Sequence, residues 1–166
     1  MIKLRDIQIV RYRNEYAPDF ARLNLEWLEG YGLLEDEDKK YLEDPEAHIL
    51  AGGGEIFFAL SGGNVVGTCA AIRHSPEEVE MAKLAVSPAA QGQGLGRRLS
   101  ETVIRFARES GAPKVTLISS TKLVAALRLY EALGFRHVPA PTNLNYETAD
   151  VFMELDLSFL EVLPAP

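Results

Sequence analysis

The sequence predicts a mixed α/β fold, a central sheet of about seven strands flanked by about four helices. Three observations predict it. Several short segments alternate apolar and polar residues, or are β-branched and apolar throughout, as strands do. Four longer segments carry apolar residues at helical spacing. The two kinds interleave along the chain, so the strands share one sheet with helices on its faces. The 166 residues suffice for one domain, 1–166, and a composition of 47% hydrophobic and 25% charged residues supplies its core.

The elements follow in order. Ile7 to Tyr12 alternates as a first strand. After Pro18, residues 19–29 place Phe20, Leu23, Trp27 and Leu28 on one helical face, and Gly30 and Gly32 end the run. Residues 35–44 read as a short acidic surface helix stopped by Pro45. Ile56–Leu60 and Val65–Arg73 flank Ser61-Gly62-Gly63-Asn64, a tight-turn composition, and make a hairpin. His74-Ser75-Pro76 turns the chain into a strand over 79–86. A Gly/Ala/Gln loop leads to a helix over 97–109, closed by Gly111-Ala112-Pro113. Lys114–Ile118 is a strand for the middle of a covered sheet, and Leu123–Leu133 is a helix ended by Gly134. Segments 135–138 and 151–155 close the sheet, and the tail 163–166 is expected to fray.

Composition narrows the function classes. Lys+Arg 17 against Asp+Glu 24 gives a net charge of −7, so nucleic acid is not an expected partner. No apolar run approaches the roughly 18–20 residues of a membrane span, so no membrane partner is expected either. The single cysteine, Cys69, cannot form an internal disulfide and lies in an apolar run, where it reads as a small buried hydrophobe. With no apolar leader at the start, a cytoplasmic location is expected. His48, His74 and His137 are scattered without ligand spacing, so no metal is expected.

The informative stretch is Lys83 to Leu99, where a strand enters a loop with glycines at 92, 94 and 96 and a helix follows at once. Glycines allow close backbone approach, and a helix start offers unpaired N–H groups and a positive dipole end. Arg97 and Arg98 add charge there, so the pattern suits a phosphate or pyrophosphate. A Walker A loop would need Lys-Ser/Thr where Arg97-Arg98 stands. A dinucleotide fingerprint would need a small residue at 97 or 99, which are arginine and leucine.

Gln91-x-x-Gly94-x-Gly96 resembles the acyl-CoA signature of the GNAT superfamily of acyl-CoA-dependent N-acyltransferases. Ala126-x-x-Leu129-Tyr130-Glu131-Ala132-Leu133-Gly134-Phe135 is similar to a second block of that family, in the expected order with one strand between. The resemblance covers about residues 7–156. It implies a mostly antiparallel sheet with one splayed parallel pair at the cofactor site, and acetyl-CoA as cosubstrate without a metal. Gln91, Gly92, Gly94, Leu95, Gly96 and Arg97 would hold the pyrophosphate, and Leu84, Ala85 and Val86 the pantetheine arm. An N–H near Val86 would polarise the thioester carbonyl. Leu123 stands where the family often has asparagine, with Ser120 or Thr121 as nearest substitutes.

The implied reaction is acetyl transfer to a primary amine of a small molecule or peptide, by direct attack in a ternary complex; the alternative is a non-catalytic acyl-CoA-binding or sensor module. Tyr130 matches the family's general acid, its other reading being a core aromatic. Glu80, six residues before Val86 and so on the same face of an unbroken strand, is the candidate base. Its other reading is a solvated strand-end acid, and Glu78, acting through water, is second choice. Glu35 to Asp38 could attract a cationic acceptor, and family habit is compatible with a homodimer.

Overall fold

The computed structural model describes residues 6–158. β1 (Ile7–Arg11) leads through a 3-10 turn into α1 (Ala17–Gly30). Pro18 lies inside the first turn of α1, where a missing N–H costs nothing, so the helix begins before the proline and not after it. α2 (Asp36–Glu43) ends before Pro45, and a π-helical turn over Glu46–Leu50 follows where the sequence suggested no element. β2 (Glu55–Ser61) and β3 (Asn64–Ser75) form the expected hairpin. Its two turn residues, Gly62 and Gly63, take φ of 56° and 84°, matching the twist of the flanking strands.

β4 (Glu78–Val86), α3 (Leu95–Glu109), β5 (Lys114–Ser119) and α4 (Val124–Ala132) follow as expected, with ends shifted by a few residues. β6 keeps only Arg136–His137 of the segment 135–138, because Phe135 turns into the core. β7 (Val151–Asp156) completes the sheet, and the tail 163–166 lies outside the described residues.

The seven strands run in the order β1-β2-β3-β4-β5-β7-β6. Only β4 and β5 are parallel, and they pair for just three residues, Glu78–Glu80 against Lys114–Thr116. Beyond that point β4 stays with β3 and β5 with β7, so the sheet opens between them. One face carries α3, whose Leu99 and Val103 are fully buried against Val79, Met81 and Val115. Each such side chain contributes roughly 1.5–3 kcal/mol. The other face packs α1 and α2 through Phe20, Leu23 and Leu42 on Phe58 and Ile72. α4 has no fully buried residue, and its inner side lines the opening between β4 and β5.

Candidate active site

The nine residues expected to hold the cofactor come together on the wall of one cleft of about 560 Å³. Gly92 and Gly94 take φ of 77° and 80°, a region L side chains resist, and Gly94 caps α3. The first intrahelical bond runs from the Arg98 N–H to the Gly94 carbonyl. The backbone N–H groups from Gly92 to Arg97 therefore have no acceptor among the described residues. Gln91 Nε2 donates to the Val86 carbonyl at 3.0 Å and ties the loop to the end of β4. Leu95 is buried and offers only its amide. A side chain on Gly96 would project toward Leu129 and Leu84, so glycine keeps the cleft open there.

On β4 a bulge changes the expected geometry. Thr68 pairs with Ala85 and Ala70 with Ala82, so Lys83 and Leu84 both oppose Cys69. Lys83 takes φ 56°, the left-handed conformation usual for glycine at such a bulge. The extra residue reverses the alternation: Ala82 faces the α1/α2 side, as does Glu80 opposite Ile72, whereas Leu84 and Val86 face the α3 side. Glu80 and Val86 are therefore on opposite faces, not the same one, because period two fails across a bulge.

The bulge also turns Lys83 toward α2, where its Nζ donates to Asp38 Oδ1 at 2.5 Å and to the Tyr146 hydroxyl at 3.3 Å. Asp38 Oδ2 accepts the Glu35 N–H at the start of α2. Glu35 in turn accepts from the N–H groups of Glu147 and Thr148 and from the Thr148 hydroxyl, clamping that loop to α2. Glu37 pairs with Lys40 and Asp36 with Lys39. All four acids of 35–38 are thus engaged within the protein.

Glu80 Oε1 lies 2.6 Å from His74 Nε2, while Glu78 Oε2 accepts the Thr116 hydroxyl. The hydrogen bond to Glu80 raises the His74 pKa above its ordinary value, overcoming the opposing effect of burial. Tyr130 is set by the end of α4. Gly134, at φ 99°, donates to the Glu131 carbonyl and Phe135 to the Tyr130 carbonyl, a Schellman ending that packs the Tyr130 and Phe135 rings edge to face, 6.1 Å apart. Burial raises the phenol pKa, so the hydroxyl stays protonated. It lines the cleft with no hydrogen-bond partner among the described residues. Cys69 is buried as expected, and burial pushes its thiol pKa up.

The cleft borders further cavities. Ala82, Lys83, Ile118 and Ser119 are shared with a small junction cavity of about 80 Å³, which also reaches Glu80 and Tyr146. Glu80, Ile118 and Tyr146 in turn wall a second cavity of about 620 Å³ with His74, Glu78 and Tyr41. Of the polar substitutes for asparagine at 123, Ser120 lines the junction, whereas Thr121 is held by Asp150. The sequence signalled Lys83 as faintly as Glu80, as one charge inside an apolar strand; Tyr146 sits in a loop with no pattern to mark it.

Among the described residues no three His, Cys, Asp or Glu side chains converge as metal ligands, and no helix is long and apolar enough to cross a membrane. The sequence model of the Acetyltransferase (GNAT) family matches residues 9–135. N-acetyltransferase 8B of Rattus norvegicus is 33% identical over 133 residues, 76% of this chain and 57% of that protein. Human N-acetylaspartate synthetase is 36% identical over 101 residues, 60% of this chain and 33% of its own length. The chain thus spans only about a third to somewhat over half of these curated relatives. Among solved structures, a GNAT-family acetyltransferase of Staphylococcus aureus Mu50 superposes with a TM-score of 0.82 at 23% identity, covering 91% of this chain and 99% of that one. The putative acetyltransferase yncA of Salmonella typhimurium, solved with acetyl-CoA, gives 0.73 at 23% identity, covering 92% and 94%.

Proposed function

This chain belongs to the acetyltransferase (GNAT) family, and from that premise we propose that it transfers an acetyl group from acetyl-CoA to a primary amine. The observation that carries the proposal is the run of unpaired amides from Gly92 to Arg97 on the wall of one cleft, with Glu78 and Glu80 lining a neighbouring cavity. Such a run, at a helix start, suits a pyrophosphate. The open edge of β4 at Leu84, Ala85 and Val86 suits the pantetheine arm, and an N–H near Val86 would polarise the thioester carbonyl.

The reaction needs a neutral attacking nitrogen and a protonated leaving thiol. Glu80 takes the first proton from the acceptor ammonium, and the Tyr130 hydroxyl donates to the departing thiolate. The bulge supports this division of labour. It leaves Glu80 on the α1/α2 face while Tyr130 packs against the α3-side core, so base and acid would approach one reacting carbonyl in the opening between β4 and β5 from different sides. Direct attack in a ternary complex is the proposed route, supported by the lining residues that the small junction cavity shares with each of the two larger ones. The test is release of free thiol from acetyl-CoA over a panel of alkylamines, diamines, amino acids and peptides. Amine-dependent release supports the reading; acetyl-CoA binding without release from any amine contradicts it in favour of a sensor module.

A further inference from the structure

We propose that His74 is the positioning residue of the acceptor site, holding the Glu80 carboxylate and carrying its proton to solvent. The proposal rests on the reading of Glu80 as base, and it adds a group that the sequence motifs do not reach. His74 lies two residues past Ile72, the cross-strand partner of Glu80, and the contact between the two side chains puts them on the same face. The register shifts between Arg73 and Ser75, and His74 occupies the irregular position. That placement brings its Nε2 to 2.6 Å from Glu80 Oε1.

Burial grades outward along the pair: the Glu80 side chain is 13% exposed and that of His74 is 40% exposed. The imidazole therefore bridges the cavity wall and water. The charged and titratable groups around it come from several elements. β4 supplies Glu78 and Glu80, α2 supplies Glu37, Lys40 and Tyr41, and the loop before β7 supplies Tyr146. Lys40 is engaged with Glu37, and Lys114, on the β5 wall, with Glu154, so neither offers Glu80 a competing salt bridge.

The protons balance. An acceptor ammonium loses two protons on becoming an amide. One replaces the proton that Tyr130 gives to the thiolate, and the other leaves from Glu80 through Nε2, with release from the opposite ring nitrogen to solvent. While His74 is charged, its ion pair holds the Glu80 carboxylate and weakens it as a base. Loss of the imidazolium proton frees the carboxylate, so activity should rise through the His74 titration, which the Glu80 contact moves above the ordinary histidine range.

His74→Gln keeps a donor at the Nε2 position and cannot titrate. The ring C–H resonances of the three histidines are followed by NMR across about pH 5 to about pH 9, with His74→Gln identifying the signal. The expected result is a His74 midpoint above that of a free histidine, falling in Glu80→Gln; an equal midpoint in both proteins overturns the pair. Thiol release from acetyl-CoA is then profiled against pH with an alkylamine, a diamine and an α-amino acid. His74→Gln should lower kcat by roughly tenfold and move the acid limb away from the His74 midpoint. The amine's own ionisation is common to both proteins and cancels. An unmoved limb in His74→Gln overturns the role of His74 even where Glu80→Gln is inactive. Full activity in Glu80→Gln overturns the base assignment beneath it, and silence with every amine overturns the transferase reading, and with it the role of His74.

Discussion

Lys83 and Asp38 form a sealed ion pair between the bulge of β4 and the first turn of α2, with side chains only 8% and 3% exposed. The pair joins the strand that lines the cleft of the Gly92–Arg97 loop to the helix that walls the cavity around Glu80, and Tyr146 shares it from the loop before β7. A buried pair of this kind fixes geometry more than it adds net stability, since desolvation offsets most of the Coulomb attraction.

Removing one partner has a definite consequence. Asp38→Asn leaves the Lys83 ammonium buried without a counter-charge and should cost about 3–5 kcal/mol in denaturant unfolding. Asp38→Leu combined with Lys83→Met should recover most of that loss. Equal destabilisation of the single and double variants would contradict the pairing.

Tyr130 can be tested without disturbing its packing, because Tyr130→Phe keeps the edge-to-face contact with Phe135. Turnover should fall by at least about tenfold, with acetyl-CoA affinity unchanged. Unchanged turnover would return Tyr130 to a packing role alone.

The clamp made by Glu35 is pH-dependent. Its partial burial raises the carboxyl pKa, but the hydrogen bonds from Glu147 and Thr148 outweigh that, and the pKa lies below its ordinary value. A depressed folded-state pKa stabilises above the unfolded value of about 4.3 and loses that contribution as pH falls through the folded pKa. Protection of the Thr148 amide in hydrogen exchange should therefore persist at neutral pH, fade in acid below about pH 4, and be absent in Glu35→Ala at any pH. Protection that survives in Glu35→Ala would place the anchor elsewhere.

Much of the fold was legible because its signals are local. The hairpin at Gly62-Gly63, the helix after Gly94 and the ending at Gly134 each follow from glycine conformations adjoining apolar periodicity. That residues 84–97 would line one cleft was equally legible, since they lie close together in sequence. The neighbouring cavity around Glu80 was not. One left-handed residue, Lys83, inverted the face of everything after it on β4, and nothing in Met81-Ala82-Lys83-Leu84-Ala85 marks where a bulge falls. Asp38, Tyr146 and His74 acquire their roles from pairings 45, 63 and 6 residues apart, and the first two depend on how α2 and a patternless loop meet β4. Two members of the acidic run, Glu35 and Asp38, are taken up in contacts across the fold, whereas Asp36 and Glu37 pair with Lys39 and Lys40 on their own helix.

The most direct measurement is thermal unfolding with and without acetyl-CoA, in the wild-type chain and in Gly94→Val. At about 100 times Kd the ligand adds about 2.7 kcal/mol, which raises Tm by several degrees. The wild type should show that rise, and Gly94→Val, strained at φ 80° at the start of the amide run, should lose most of it. No rise in the wild type at millimolar acetyl-CoA would contradict the assignment of the cleft between β4 and β5 as an acyl-CoA site.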